Sequence, residues 1–383
     1  MREKCIVCGA PLLRPPLYIC QNMPQVSQNL PVKETLNMDA PMDLNLCQCS
    51  GCGLVQFDCE PVPYYKDSTR AGERCEALIA LRQKQYKHLI ETYHLQGKKI
   101  LEVGAGKGGF LKTLKEMDEY QIKEYGIENN AEFVKIARET EGVNVCQGYM
   151  DFPEMTLPDG PFDAFTSFAY PARLIDPNTM LRCTFHNLVE GGIGLVMVPS
   201  LEHLLKPEGF FDIVRDHIAF YSEETLHFLL QNNGFEVLEH GEVSQIYIYA
   251  IVRKRKPYDM AKIWSNVGTL ADEVKRFVKK STQNGKKLAI WCAGHFAFTV
   301  LSTTGIGEQV SYIIDNAKFK QGCYSPGSHV LITGCEHFEE EPVETILILG
   351  PIYIDEIVKE IRLKCSPDVS IAAMDKNGLR EKL

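Results

Sequence analysis

The run Glu102-Val103-Gly104-Ala105-Gly106-Lys107-Gly108-Gly109 places a carboxylate two residues ahead of a glycine-rich turn and a helix start, directly after the apolar stretch 99–103. Such a turn needs glycine because its backbone reaches conformations closed to residues with a Cβ, and because a ligand then touches the main chain itself. Gly104, Gly106 and Gly109 also satisfy the dinucleotide fingerprint, so the glycines alone do not name the ligand. The acids say more. Glu102 can receive an ammonium group or order water around the loop, whereas a pyrophosphate would be repelled there. Glu128 closes Tyr125-Gly126-Ile127-Glu128, the expected end of the next strand, where a carboxylate can accept from both ribose hydroxyls of a nucleoside. Asp151 is placed to meet an adenine amino group, and Ser167 lies near the end of a fourth strand. With Ala105 between its glycines, this set suits S-adenosylmethionine, which carries a ribose, an amino-acid head and a sulfonium but no phosphate.

A second chemistry stands at the N-terminus. Cys5-Ile6-Val7-Cys8-Gly9 and Cys49-Ser50-Gly51-Cys52-Gly53 repeat Cys-x-x-Cys-Gly, so Cys5, Cys8, Cys49 and Cys52 make four thiolates. Each pair can form a knuckle whose backbone amides point at the first sulfur, with glycine letting the turn close. Tetrahedral zinc is expected, with Cys47 and Cys20 as spare ligands. Four protein sulfurs leave no open coordination position, so the metal is structural and supplies folding energy. Cys146, Cys183, Cys292, Cys323, Cys335 and Cys365 have no ligand-like spacing and are expected as core thiols.

The elements that must carry these groups follow from periodicity. A helix is expected over 74–94, then strands at 99–103, 125–128, 143–147, 162–168 and 193–199 with helices between them, one of them over 180–188 and ending at Gly191-Gly192. The last strand is nearly all apolar, as a parallel sheet covered on both faces requires. Glu223–Asn232 reads as an amphipathic helix with Ser222 as its cap. The chain restarts after Arg255 with a helix over 259–280 and strands at 287–291, 310–315 and 345–349. There a second turn, Cys292-Ala293-Gly294-His295, is a degraded glycine fingerprint. The fold class is α/β: an N-terminal zinc-binding module over 1–70, a class I Rossmann-like methyltransferase domain over 71–256, and a smaller Rossmann-like domain over 257–383.

The 383 residues allow two or three domains, and 45% apolar composition is ordinary for a globular chain. A net charge of −9 without a long basic block argues for a small-molecule substrate and against nucleic acid. No stretch is long and apolar enough to span a bilayer and no signal peptide is seen, so no membrane partner and a cytoplasmic location are expected.

Two cysteine knuckles, a methyltransferase core, the Asp216-His217 pair and the stretch Lys320-Gln321-Gly322 to Pro326-Gly327-Ser328-His329 together resemble the three-part sugar C-methyltransferases that act on nucleotide-linked keto-deoxysugars. The likeness runs through nearly the whole chain. It implies a nucleotide-sugar substrate lying between the central and C-terminal domains, with the zinc module helping to cover the site. It also implies a carbanion route: a base removes a proton alpha to a carbonyl, a donor meets the enolate oxygen, and a sulfonium methyl lies in line. His217 is then the base, Asp216 orients it, and Tyr64 or Tyr65 donates to the oxygen. The chain departs from the family's Tyr-x-Glu-His with Val214-Arg215-Asp216-His217, and Ala169-Tyr170-Pro171-Ala172-Arg173 stands where a histidine is usual. Tyr170 can replace the missing group, and Arg173 or Arg215 can meet an anionic substrate or form only an ion pair. The alternatives are methyl transfer to oxygen or nitrogen, which needs no carbanion, and a non-catalytic nucleotide-binding protein.

Overall fold

The computed structural model describes residues 1–28, 30–67, 75–350, 352–375 and 378–383. The expected boundary at 70/71 and the start of the helix at 74 lie outside them. Two compact units are formed, Met1–Pro257 and Tyr258–Leu383.

The first unit holds two sheets. Strands β1 (Tyr18–Met23), β2 (Met42–Gln48) and β3 (Val55–Phe57) form an antiparallel sheet completed by the short strand Ala219–Phe220, which pairs with β3. The N-terminal sheet is thereby stitched to the segment that carries Asp216 and His217. The larger sheet contains β4 (Lys99–Val103), β5 (Lys123–Glu128), β6 (Val145–Gln147), β7 (Phe162–Phe168), β8 (Leu188–Pro199) and, beyond β9 (Ala219–Phe220), the hairpin β10 (Phe235–Val243) and β11 (Tyr247–Lys254). Its order is β10-β11-β8-β7-β4-β5-β6. The five strands β4 to β8 run parallel, and β11 is antiparallel to both of its neighbours. The chain leaves β4 toward β5 and β6 on one side and returns through β7 and β8 on the other. The crevice between the carboxyl ends of β4 and β7 is thus a topological switch point, where ligands of open α/β sheets bind.

Two local readings change. The helix expected over 180–188 is Pro177–His186, capped by Asp176, whose carboxylate accepts from Thr179 N at 3.0 Å. Residues 188–192 do not end a helix but begin the twelve-residue strand β8. Asn187 makes the break: its amide donates to the carbonyls of Met155 (2.7 Å) and Cys183 (2.9 Å), and its carbonyl accepts from Leu157 N at 2.8 Å. The strand expected over 310–315 is only Ile313–Ile314. Ser222 does cap Glu223–Asn232, in a reciprocal box with Thr225.

The second unit is a six-stranded sheet of β12 (Leu288–Trp291), β13 (Ile313–Ile314), β14 (Ile332–Thr333), β15 (Thr345–Ile348), β16 (Ser370–Asp375) and β17 (Gly378–Glu381), ordered β14-β13-β12-β15-β16-β17 and parallel except for β17. The Lys320-to-His329 stretch serves as connecting structure here: Gln321 donates to Asp315 O, Gly322 N to Ile332 O, and Val330 N to the Ser325 hydroxyl. Among the described residues no helix is long and apolar enough to cross a membrane.

Candidate active site

Three chain segments meet at the carboxyl ends of β4 and β7. Out of β4, Gly104 N and Ala105 N both donate to Ile127 O at 3.0 Å, which bends the loop toward β5. Gly106 N then donates to Glu128 Oε2 at 3.0 Å, while Asn130 N donates to Oε1 at 2.9 Å. The acid at the end of β5 therefore shapes the loop. Gly104 has φ +74°, and a Cβ there would lie 2.7 Å from the ring of Tyr170, so both the turn and the close aromatic contact require glycine. Glu102 is fully buried within β4. Ser167 is buried too, its hydroxyl donating to Val103 O between strands at 3.4 Å. Asp151 lies at the surface, 3.2 Å from Lys66 Nζ.

Out of β7, Tyr170 opens the one-turn helix Pro171–Arg173. Its ring covers Gly104 and its hydroxyl donates to Lys66 O at 2.7 Å; burial raises the phenol pKa well above its ordinary value. The space left beside Gly104, Gly148, Tyr149 and Met150 is only about 10 Å³, room for no more than one water. A larger cavity of about 440 Å³, bordered by Arg138, Cys146 and Asp159, contains none of the expected site residues. The cover over the loop comes from the N-terminal segment that ends the described stretch 30–67. Asp67 accepts from the side chains of Asn129 (2.6 Å) and Asn130 (3.1 Å), and Lys66 lies over the Tyr149 ring at 4.2 Å. Tyr65 is half-buried and packs edge-on to Tyr149.

The third segment carries Asp216 and His217. Ile218 N donates to Ala172 O at 2.8 Å, tying it to the Tyr170–Arg173 turn. Asp216 is buried; its Oδ2 accepts from Ser27 N at 3.1 Å, and Arg173 Nη2 lies 3.7 Å from its Oδ1. Among the described residues no hydrogen bond joins Asp216 to His217, so Asp216 acts on the imidazole through its charge. His217 keeps a window to solvent, yet loss of hydration, reinforced by the Arg173 charge, pushes its pKa from 6.5 down to about 4. Tyr64 is buried, its oxygen accepts from Gln28 N at 3.0 Å, and burial raises its pKa. Arg215 is spent on structure, donating to the carbonyls of Glu60, Pro61 and Gln25.

The Sγ atoms of Cys5, Cys8, Cys49 and Cys52 all lie within 4.8 Å of one another, with 3.7 Å for Cys5–Cys52 and 3.3 Å for Cys8–Cys49. Tetrahedral Zn–S bonds of about 2.3 Å would set the sulfurs about 3.8 Å apart, close to this arrangement. Val7 N points at Cys5 Sγ, and Gly51 N and Cys52 N at Cys49 Sγ, the knuckle amides that favour thiolates. Burial pushes the Cys5 thiol up to about 11. At Cys8, burial is outweighed by the Ala10 amide and by its sulfur neighbours, and the thiol falls to about 7. Asn178, in the helix Pro177–His186, fastens the first knuckle to that helix by donating to Ile6 O and Val7 O. Cys20 and Cys47 are fully buried outside the cluster.

Sequence reasoning missed the Asp67–Asn129–Asn130 contact, whose partners lie more than sixty residues apart and leave no local mark. It also missed Glu223, His227 and His240, a second group whose ligand atoms lie within 4.8 Å; Glu223-x-x-x-His227 on one helix face was its readable trace.

The fold and these loops find their counterpart in two family models. One, described as a methyltransferase domain, matches residues 78–240; the other, a C-methyltransferase C-terminal domain, matches 253–366. The chain carries a methyltransferase domain followed by a C-methyltransferase C-terminal domain. No curated protein matches this chain. Similar solved structures include a SAM-dependent methyltransferase from Aquifex aeolicus (19% identity, 46% of this chain and 98% of that one, TM-score 0.37). A second is an S-adenosylmethionine-dependent methyltransferase from Clostridium acetobutylicum (14%, 46% and 92%, 0.36). A third is the plantazolicin methyltransferase BpumL in complex with SAH (11%, 48% and 87%, 0.39).

Proposed function

We propose that this methyltransferase alkylates a carbon of a nucleotide-linked keto-sugar through an enolate, with His217 as the base. The observation that carries the reading is a neutral, largely desolvated imidazole held, through Ala172, to the turn that covers the glycine loop. The C-methyltransferase C-terminal domain supports carbon as the acceptor. For this task the chain is organised as a metal-binding module over 1–70, a methyl-donor domain over 71–256 and a substrate domain over 257–383.

The residues fit S-adenosylmethionine: Glu128 ends β5 with its carboxylate accepting from the Gly106 and Asn130 amides, the position from which a carboxylate can meet ribose hydroxyls, and Gly104 to Gly106 bring bare main chain beside it. When bound, the donor supplies an electrophilic methyl, whose C–S electron pair stays on sulfur. Glu102, Asp151 and Ser167 complete this side of the site in the same reading. Tyr170 and the Lys66–Asp67 cover must shift to admit a ligand of that size. Tyr64 and Tyr65 border the acceptor side, and Cys5, Cys8, Cys49 and Cys52 hold a structural zinc that keeps the cover attached. Metal analysis of purified protein showing neither zinc nor iron would remove that last element.

A base that protonates only near pH 4 is ready throughout the neutral range, so the acid limb of kcat/KM is expected near pH 4 and not near 6.5. Stability follows the same proton. The unfolded chain binds it first as pH falls, so stability is undiminished above about 6.5 and declines as pH drops toward about 4. Incubation with labelled methyl donor and a panel of nucleotide keto-sugars, read by mass spectrometry, tests the reaction. His217→Asn should slow carbon methylation by about 10² to 10⁴-fold, while an acceptor already nucleophilic at oxygen or nitrogen keeps its rate.

A further inference from the structure

We propose that Arg173 is the oxyanion receiver of this site: its guanidinium takes the acceptor's carbonyl oxygen as that oxygen gains enolate charge. The inference rests on the enolate reading above. Arg173 ends the turn after β7 and is 6% exposed, yet among the described residues its Nε and Nη2 have no hydrogen-bond partner. The nearest carboxylate oxygen, Asp216 Oδ1, is 3.7 Å away, too far for a hydrogen bond, and is itself unpartnered. Buried donors on a charged group are costly to leave unmade, and a fold that keeps two of them beside an orphaned carboxylate oxygen is set up to bond to something it does not itself contain.

The neighbours narrow the assignment. Tyr170 has given its proton to Lys66 O, and Arg215 has given its N–H groups to three carbonyls. Arg173 therefore holds the uncommitted N–H groups next to His217, and it is close enough for its charge to act on that imidazole. A phosphate would bring two negative charges against Asp216. A single oxygen that becomes anionic only during the reaction answers the guanidinium without that repulsion. The step balances as follows. The α-proton moves to His217 and the C–H electron pair becomes the C=C bond. The carbonyl π pair moves to the oxygen held by Arg173. The pair then returns to re-form C=O as the C=C pair makes the new C–C bond to the donor's methyl carbon, whose bond to sulfur would break with its electron pair left on sulfur, and His217 releases its proton to solvent. An anion on Arg173 also offsets the positive field at His217, so its basicity rises when it is needed.

Exchange of the α-proton in D₂O, with a nucleoside-diphosphate 4-keto-6-deoxysugar and no methyl donor, isolates the step. Wild-type protein should wash in deuterium. Arg173→Ala should slow exchange and kcat together by about 10² to 10³-fold with KM nearly unchanged, and added guanidinium ion should restore part of the rate. Arg173→Lys should recover part of the loss, keeping the charge without the fork. Should Arg173→Ala not fold, Arg173→Gln, which keeps a polar side chain of similar reach without the charge, is read the same way. Exchange within about threefold of wild type in the folded variant, or a raised KM with kcat intact, overturns the oxyanion role and leaves the enolate reading standing. Absence of exchange in wild-type protein with every keto-sugar tried overturns the enolate reading itself.

Discussion

The two units build the same turn and fill it differently. In the first, the acid ending β5 accepts from a loop amide and from the amide two residues beyond itself: Gly106 N and Asn130 N on Glu128. In the second, Asp315, just past β13, does the same with Ala293 N (2.8 Å) and Ala317 N (2.9 Å). There the likeness ends. Lys320 reaches across the second turn, 3.0 Å from Asp315 Oδ2 and 2.8 Å from Ala293 O, and a non-glycine residue, Cys292, takes the left-handed conformation at φ +86°. An aromatic ring covers the first turn and an ammonium neutralises the second. An apolar cover can swing aside without leaving a buried charge, whereas removing the lysine would strip a carboxylate of its counter-ion. Strand order and a well-placed acid are thus common to both turns, which differ in the residue lying over the turn and in whether its left-handed position is a glycine.

The sharpest test exchanges the acids. Glu128→Ala removes two charged acceptors from the proposed ribose position, so S-adenosylmethionine affinity measured by calorimetry should fall at least about 100-fold, from about 1.5 to 3 kcal/mol per hydrogen bond to a charged group. Asp315→Ala should leave that affinity within about threefold. Equal losses would erase the distinction between the two turns. A smaller effect comes from the glycines. At Gly104 a Cβ meets the Tyr170 ring at 2.7 Å with φ +74°, so Gly104→Ala should cost about 1–3 kcal/mol in denaturant unfolding. Gly294 has φ −117° and open space around it, and Gly294→Ala should change stability by less than about 0.5 kcal/mol.

What was legible in the sequence was local chemistry. A glycine turn fed by an apolar strand, an acid ending the next strand and paired Cys-x-x-Cys-Gly motifs each state their geometry within a few residues, and the knuckle amides on Cys5 and Cys49 follow directly from that spacing. The fates of the two arginines were not legible, because Arg215 finds its carbonyl partners about 155 and 190 residues away while Arg173 Nε and Nη2 find no hydrogen-bond partner among the described residues. Adjacency likewise misled at Asp216-His217: with the two side chains on successive residues, the carboxylate turned to Ser27 and Arg173. The start of β8 was misread as a helix end because the side chain that breaks the helix, Asn187, is satisfied by residues 155 and 157, which periodicity does not see.

The cover over the first turn gives a further contrast. Asp67→Ala removes two hydrogen bonds that hold the end of the described stretch 30–67 to Asn129 and Asn130. Stability should fall by about 1 kcal/mol, and the association rate for S-adenosylmethionine in stopped-flow binding should rise several-fold. An unchanged rate would mean that Tyr170 alone controls admission.

Lys320→Ala gives the smallest effect and probes the plug itself. The lysine is 30% exposed and its partner Asp315 13% exposed, so their attraction is partly screened, and Asp315 keeps two backbone amides once the ammonium is gone. Thermal unfolding should register less than about 1 kcal/mol. Adenosine should still fail to bind the second unit at millimolar concentration, since Cys292 presents a Cβ and a sulfur where the first unit presents bare main chain. Binding of adenosine to this variant would show that the ammonium alone separates the two turns, and that the glycine at position 104 is needed for its aromatic cover more than for the ligand.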